Sequence, residues 1–109
     1  MDEQSPREVV LHISDDPTDV QRALDTARVL ESTDLDVKVR VIVNGAALAG
    51  LTGTDAVGAS EHTSVAACSV GLGQRGINPD DLRPSLQTVP SAVVAIVEAQ
   101  LAGAAYIRI

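Results

Sequence analysis

Val9-Val10-Leu11-His12-Ile13, followed at once by Ser14-Asp15-Asp16-Pro17, is the stretch that decides the architecture. The first five residues are almost all apolar and rich in Val and Ile. That is the composition of a strand covered on both faces, not of one with a wet side. The next four stop it. Asp16 is a good N-cap, Pro17 suits the first helical position, and Asp19 puts negative charge into the first turn. Val20, Ala23, Leu24, Ala27 and Leu30 then recur at helical spacing, while Gln21, Arg22, Asp25 and Arg28 face elsewhere. A doubly covered strand feeding an amphipathic helix is the opening of a parallel α/β domain.

The alternation repeats downstream. Asp34 and Asp36 mark a turn. Val37, Val39, Val41 and Val43 interleave with Lys38, Arg40 and Ile42, giving a second strand with an exposed start, closed by Asn44-Gly45. Residues 46–51 suit one or two helical turns. Residues 52–63, rich in Gly, Thr, Ser and Ala, read as a loop with room for a short helix. Ser64-Val65-Ala66-Ala67-Cys68 is a third, small-residue strand, 72–76 a short helical stretch, and 78–82 a capped helical turn. Leu86-Gln87-Thr88-Val89 is a fourth strand ended by Pro90. Residues 91–102 form the last helix, with Gly103 as its stop, and 104–109 the final strand. In that helix Ala92 to Val97 are all apolar. A helix apolar nearly all round is buried on more than one side, so one side meets the sheet and another subunit is expected on the other.

Five strands alternating with helical segments predict a three-layer α/β/α fold with a five-stranded, mainly parallel sheet and right-handed crossovers. The 109 residues suit one domain, expected over 8–109 behind a frayed tail, 1–7. The core is built without Phe or Trp and with one Tyr, so Val, Ala, Leu and Ile pack it. No apolar run approaches the roughly 20 residues that cross a bilayer. The acidic, polar start resembles neither a signal nor a transit peptide, and the expected location is cytoplasmic.

The net charge is −7, which argues against nucleic acid or an anionic membrane as partner. Lys38 is the sole lysine, and Asp outnumbers Glu. An Asp-rich, Lys-poor surface suits a salt-loving host, where self-repulsion is screened. An ordinary acidic protein has the same balance, and stability measured against salt separates the two.

In a parallel sheet the working site lies beyond the carboxyl ends of the strands. The residues there are Ser14, Asp15 and Asp16; Asn44 and Gly45; Cys68 and Ser69; and Val89 to Ser91. Cys68 is the sharpest candidate. It ends a strand and precedes a helical segment, and a helix N-terminus favours a thiolate. Arg75, two helical turns on, is placed to share a face with the start of that segment. A free cysteine is also a common small core hydrophobe. With one cysteine there is no intrachain disulfide and no Cys-x-x-Cys pair, so thiol chemistry here needs a second molecule. Gly71-Leu72-Gly73-Gln74-Arg75-Gly76 has the letters of a dinucleotide fingerprint. Asn78-Pro79 cuts short the long helix that fingerprint needs, so the glycines are read as allowing close approach near Cys68 or as loop residues. His12 reads as a packed strand residue. His62 lies in the loop, and neither histidine makes a metal spacing with Cys68. Ser14, Ser69 and Ser91 lack a nucleophile-elbow context, and Asp15-Asp16 and Asp80-Asp81 read as helix-start chemistry.

Ala67-Cys68, then Gln74-Arg75-Gly76-Ile77, then Asp80-Asp81-Leu82, resembles the DsrE/DsrF-like family of small sulfur-relay proteins. The segments 9–14, 41–45 and 89–107 are similar to that family's opening strand, second strand with glycine turn, and closing helix and strand. The resemblance implies a three-layer fold with a five-stranded parallel sheet, assembled as homodimers, trimers or hexamers. It also implies a persulfide carried on the cysteine matching Cys68 and passed between donor and acceptor proteins. A persulfide carrier needs a reachable thiolate but no general base, metal or resolving cysteine. The expectation is therefore a sulfur-handling protein without cofactor or metal. Cys68 accepts sulfur, Arg75 and local amides stabilise the anion, and Ser69, Asn44, Gly45 and Ser14 support the site. The alternative is a non-catalytic oligomeric binding protein of the same fold, with a structural cysteine.

Overall fold

The computed structural model describes residues 7–109. Of the expected tail, only Arg7 falls among them, and it belongs to the first strand. The elements run β1 (Arg7–Ile13), α1 (Asp19–Glu31), β2 (Val37–Val43), a 3-10 helix (Gly45–Leu51), β3 (Thr63–Cys68), α2 (Ser69–Gln74), a 3-10 turn (Pro79–Asp81), β4 (Gln87–Val89), α3 (Ala92–Leu101) and β5 (Ala105–Arg108). All four strand pairings are parallel, in the order β4-β3-β2-β1-β5.

Two helix starts differ from the sequence expectation, each for a local reason. Asp16 Oδ1 accepts from the Thr18 amide at 2.9 Å and the Thr18 hydroxyl at 2.8 Å. Asp16 thus caps a turn that Pro17 and Thr18 occupy, and α1 proper begins only at Asp19. In contrast, α2 begins earlier than 72, at Ser69, because Cys68 is its N-cap and Sγ accepts from the Gly71 amide. Cysteine is not among the usual cap residues, so the sequence carries no signal for that start.

Alternation along the strands separates two apolar layers. Val9, Leu11, Ile13, Val39, Val41, Val43, Val65 and Ala67 face one side, where Val20, Ala23, Leu24 and Ala27 of α1, the 3-10 residues Ala47, Leu48 and Leu51, and Leu72 of α2 cover them. Val10, Ile42 and Cys68 face the other, under Ala92, Ala95, Ile96 and Ala99 of α3. The topology explains why α3 alone lies there. From β1 to β4 each new strand is added on the same side of the last, and β5 then returns to the far side of β1. A crossover running the opposite way must pass over the opposite face to keep its hand. The connections leaving β3 and β4 therefore part to opposite faces, and this is the switch point where α/β sheets open a crevice.

Residues 52–62 contain no helix; they are irregular backbone held by side chains. Arg83 donates to three carbonyls at once, those of Gly50 at 3.2 Å, Asp55 at 2.9 Å and Ala56 at 2.9 Å. A Thr52–Leu82 bridge and the Gly53 amide donating to Asp81 O at 3.1 Å fix the neighbouring backbone. Buried Val57 anchors the segment in the core.

Candidate functional site

Cys68 ends β3 at this switch point. Its Sγ accepts from the Gly71 amide at 3.4 Å and from the Ala92 amide at 3.3 Å. These donors come from the first turns of two different helices, α2 and α3, that leave the sheet on opposite faces. N–H groups of a helix start carry partial positive charge and favour negative charge on the atom they meet. The residue is 6% exposed, so Cys68 is a buried cysteine and not a surface one.

Gly71 lets α2 pack closely on Leu48 beside Cys68. A Cβ there would lie 2.7 Å from Leu48 Cδ1 and 3.8 Å from Sγ. Of the two sequence readings of these glycines, close approach applies to Gly71, where the tight neighbour is Leu48 and Cys68 lies at ordinary van der Waals distance. Gly73 and Gly76 have no such neighbour.

The remaining expected residues divide. Val43 pairs with Ala67, and Ile13 with Val43. Continued by one rung, the register sets Ser14, Asn44 and Cys68 side by side on the α3 face, about 5 Å between strands. Gly45 follows with φ +60°, and a Cβ there would lie 2.6 Å from Ser14 O. Ser14 Oγ accepts from Arg108 Nη2 at 2.8 Å. Ser69 is the exposed first residue of α2. Arg75 is not brought to the thiol: it is the C-cap, at the far end of α2, and exposed. The hydrogen bonds that Sγ accepts come from the two backbone amides and not from that guanidinium.

Sequence reasoning missed a polar chain beside this row. His12 Nε2 donates to Asn44 Oδ1 at 2.9 Å, and His12 Nδ1 accepts from the Tyr106 hydroxyl at 2.7 Å. The tautomer is assigned from these partners. Arg108 donates to Asp15 Oδ1 at 2.9 Å. His12 is thus a half-buried, doubly bonded residue at the site's edge, not a merely packed one. The available signal is the period of two that puts Tyr106 and Arg108 on one face of β5. It has meaning only once β5 is known to lie against β1.

Surface hollows lined by Glu31, Asp34, Asp36 and His62, and by Thr52, Asn78, Asp80 and Asp81, lie elsewhere, and neither includes Cys68. Among the described residues no three of His, Cys, Asp or Glu gather as metal ligands. No helix among them is long and apolar enough to cross a membrane.

No family model matches this chain, and no curated protein matches it. Among solved structures it is similar to MTH1491 of Methanobacterium thermoautotrophicum, described as a protein of unknown function. The TM-score is 0.78 and the identity 28%, over 94% of this chain and 99% of that one. The two share the five-stranded α/β fold over nearly their whole lengths.

Proposed function

We propose that the protein is a DsrE/DsrF-like sulfur handler in which Cys68 accepts a sulfane sulfur as a persulfide and passes it to a partner. The observation that carries this reading is the pair of amides, one from each helix start, aimed at Sγ at 3.4 and 3.3 Å. A thiolate is the form that accepts sulfur, and converging N–H donors are how a backbone holds an anion without a basic side chain. The sequence pattern around Cys68 and Asp80-Asp81-Leu82 supports the same reading.

The working form is a homo-oligomer. Outward-facing Val93, Val94, Val97 and Leu101 of α3 are 48% to 84% exposed, and Tyr106 and Ile107 of the edge strand β5 are exposed as well. Of these two, Tyr106 pairs with Val10 on the α3 side and Ile107 with Leu11 on the other, so it is Tyr106 that extends the α3 surface; an apolar helix face beside an open strand edge is what a second subunit covers.

The 6% exposure of Cys68 favours a second reading, a binding protein whose cysteine only packs. Alkylation separates the two. A carrier thiol reacts at neutral pH in the native protein, at a rate within about tenfold of the unfolded chain. A packed thiol stays inert until the fold is lost, and that outcome overturns the carrier reading.

A further inference from the structure

The Asn44–His12–Tyr106 chain has a role at the thiol that follows from where charge goes when sulfur is added. The Cys68 thiolate attacks the end sulfur of an inorganic polysulfide. A new S–S bond forms, the next S–S bond of the polysulfide breaks, and its electron pair leaves on the shortened polysulfide. No oxidant is consumed, and the product is an anion whose charge lies on the outer sulfur, about 2 Å beyond Sγ. The Gly71 and Ala92 amides meet Sγ, which has then become the bridging, less charged atom. The outer sulfur needs a donor of its own.

We infer that Asn44 Nδ2 is that donor and that His12 and Tyr106 are the residues that aim it. Three observations converge, and the inference rests on Cys68 being the sulfur acceptor. Asn44 and Cys68 are neighbours on one rung and on one face, by the register Val43↔Ala67 continued one residue. Asn44 Oδ1 is taken by His12 Nε2 of β1 at 2.9 Å, which leaves the NH2 branch of the same planar group as the one available to a neighbour on β3. The Tyr106 hydroxyl lies 2.7 Å from Nδ1, and by donating there it matches a proton on Nε2 and Oδ1 as that proton's acceptor. Asn44 is not among the donors to Sγ itself, as suits a group that serves an atom farther out. His12 and Tyr106 act through Asn44 and are positioning residues.

The test loads the full chain with inorganic polysulfide, removes the donor, and follows by mass spectrometry how long the added sulfur persists. Asn44→Ala and Tyr106→Phe are expected to shorten that time about tenfold, the worth of one hydrogen bond to a charged acceptor. Alkylation of the unloaded thiol should stay within about twofold of wild type in Tyr106→Phe, since the two amide donors to Sγ are untouched. A purely structural effect moves alkylation and thermal midpoint together with persistence. Tyr106→Phe removes one hydroxyl at a partly exposed site, so it keeps the test readable if Asn44→Ala fails to fold. Wild-type persistence in Tyr106→Phe overturns the inference and leaves the sulfur-acceptor reading standing. No sulfur uptake by wild type overturns both.

Discussion

Gly71 gives the Cys68 sulfur one of its two amide donors and lets α2 pack closely on Leu48 of the 3-10 helix. Leu48, which an added Cβ would meet at 2.7 Å, is itself fully buried and has no room to retreat. Gly71→Ala is therefore expected to lose about 1–3 kcal/mol, as overpacked cores do. Urea unfolding measures this, and an unchanged midpoint contradicts it. Glu31 offers a second test at this scale. Its carboxylate accepts from Thr63 and from Ser60, tying the end of α1 to the start of β3. Those bonds, Thr63 first, hold its pKa below the ordinary glutamate value. A depressed folded pKa contributes stability that is present above the unfolded value and lost as pH falls through the folded one. The stability difference between wild type and Glu31→Gln should accordingly be full near neutrality and shrink in the acid range below the usual glutamate pKa. Parallel stability curves for the two proteins over that range would exclude the linkage.

At the scale of elements, the long segment between the 3-10 helix and β3 takes two of its fixing bonds from one side chain far along the chain. Arg83 takes carbonyls 27 to 33 residues away, and its planar fork serves three acceptors at once, which a lysine ammonium on a flexible stem cannot match. Arg83→Lys and Arg83→Ala should both expose residues 52–58 to limited proteolysis and cost about 2 kcal/mol. Resistance equal to wild type in the lysine variant would contradict the fork geometry. This same segment shows where the sequence stops being legible. The strands and the long helices announce themselves by period, because Val39, Val41 and Val43, or Val20, Ala23, Leu24 and Ala27, must each present one face to the core. The loop has no period, and bonds that fix it come from a distant guanidinium. The start of α2 is hidden for a related reason, since Cys68 is held by Ala92 as well as Gly71, and that second contact exists only after α3 has folded back over the sheet.

For the whole molecule, the reversal of strand order does most to create the site. It sends α2 and α3 to opposite faces and leaves Cys68 between their first turns. It also brings β5 beside β1, so that Tyr106 reaches His12 across 94 residues of chain. Ser14, Asn44, Gly45 and Cys68 are legible as strand ends in the sequence itself. The partnership of His12 with Tyr106 is not, because nothing in a strand's own residues states which neighbour it will have. The reversal also leaves α3 as the lone cover of its face, with an apolar outer side. A chain of 11.3 kDa that hides this side in an oligomer should sediment as a multiple of that mass. The double change Val97→Glu and Leu101→Glu should bring it down to the single-chain value. Wild type sedimenting as a monomer at micromolar concentration would contradict the assembly.

Sulfur acceptance by Cys68 is read most directly from the intact mass of the native protein after brief exposure to inorganic polysulfide. The expected result is a gain of one sulfur mass in wild type, absent in Cys68→Ser and removed by a small thiol. An unchanged wild-type mass, in protein whose thiol becomes available on unfolding, contradicts it.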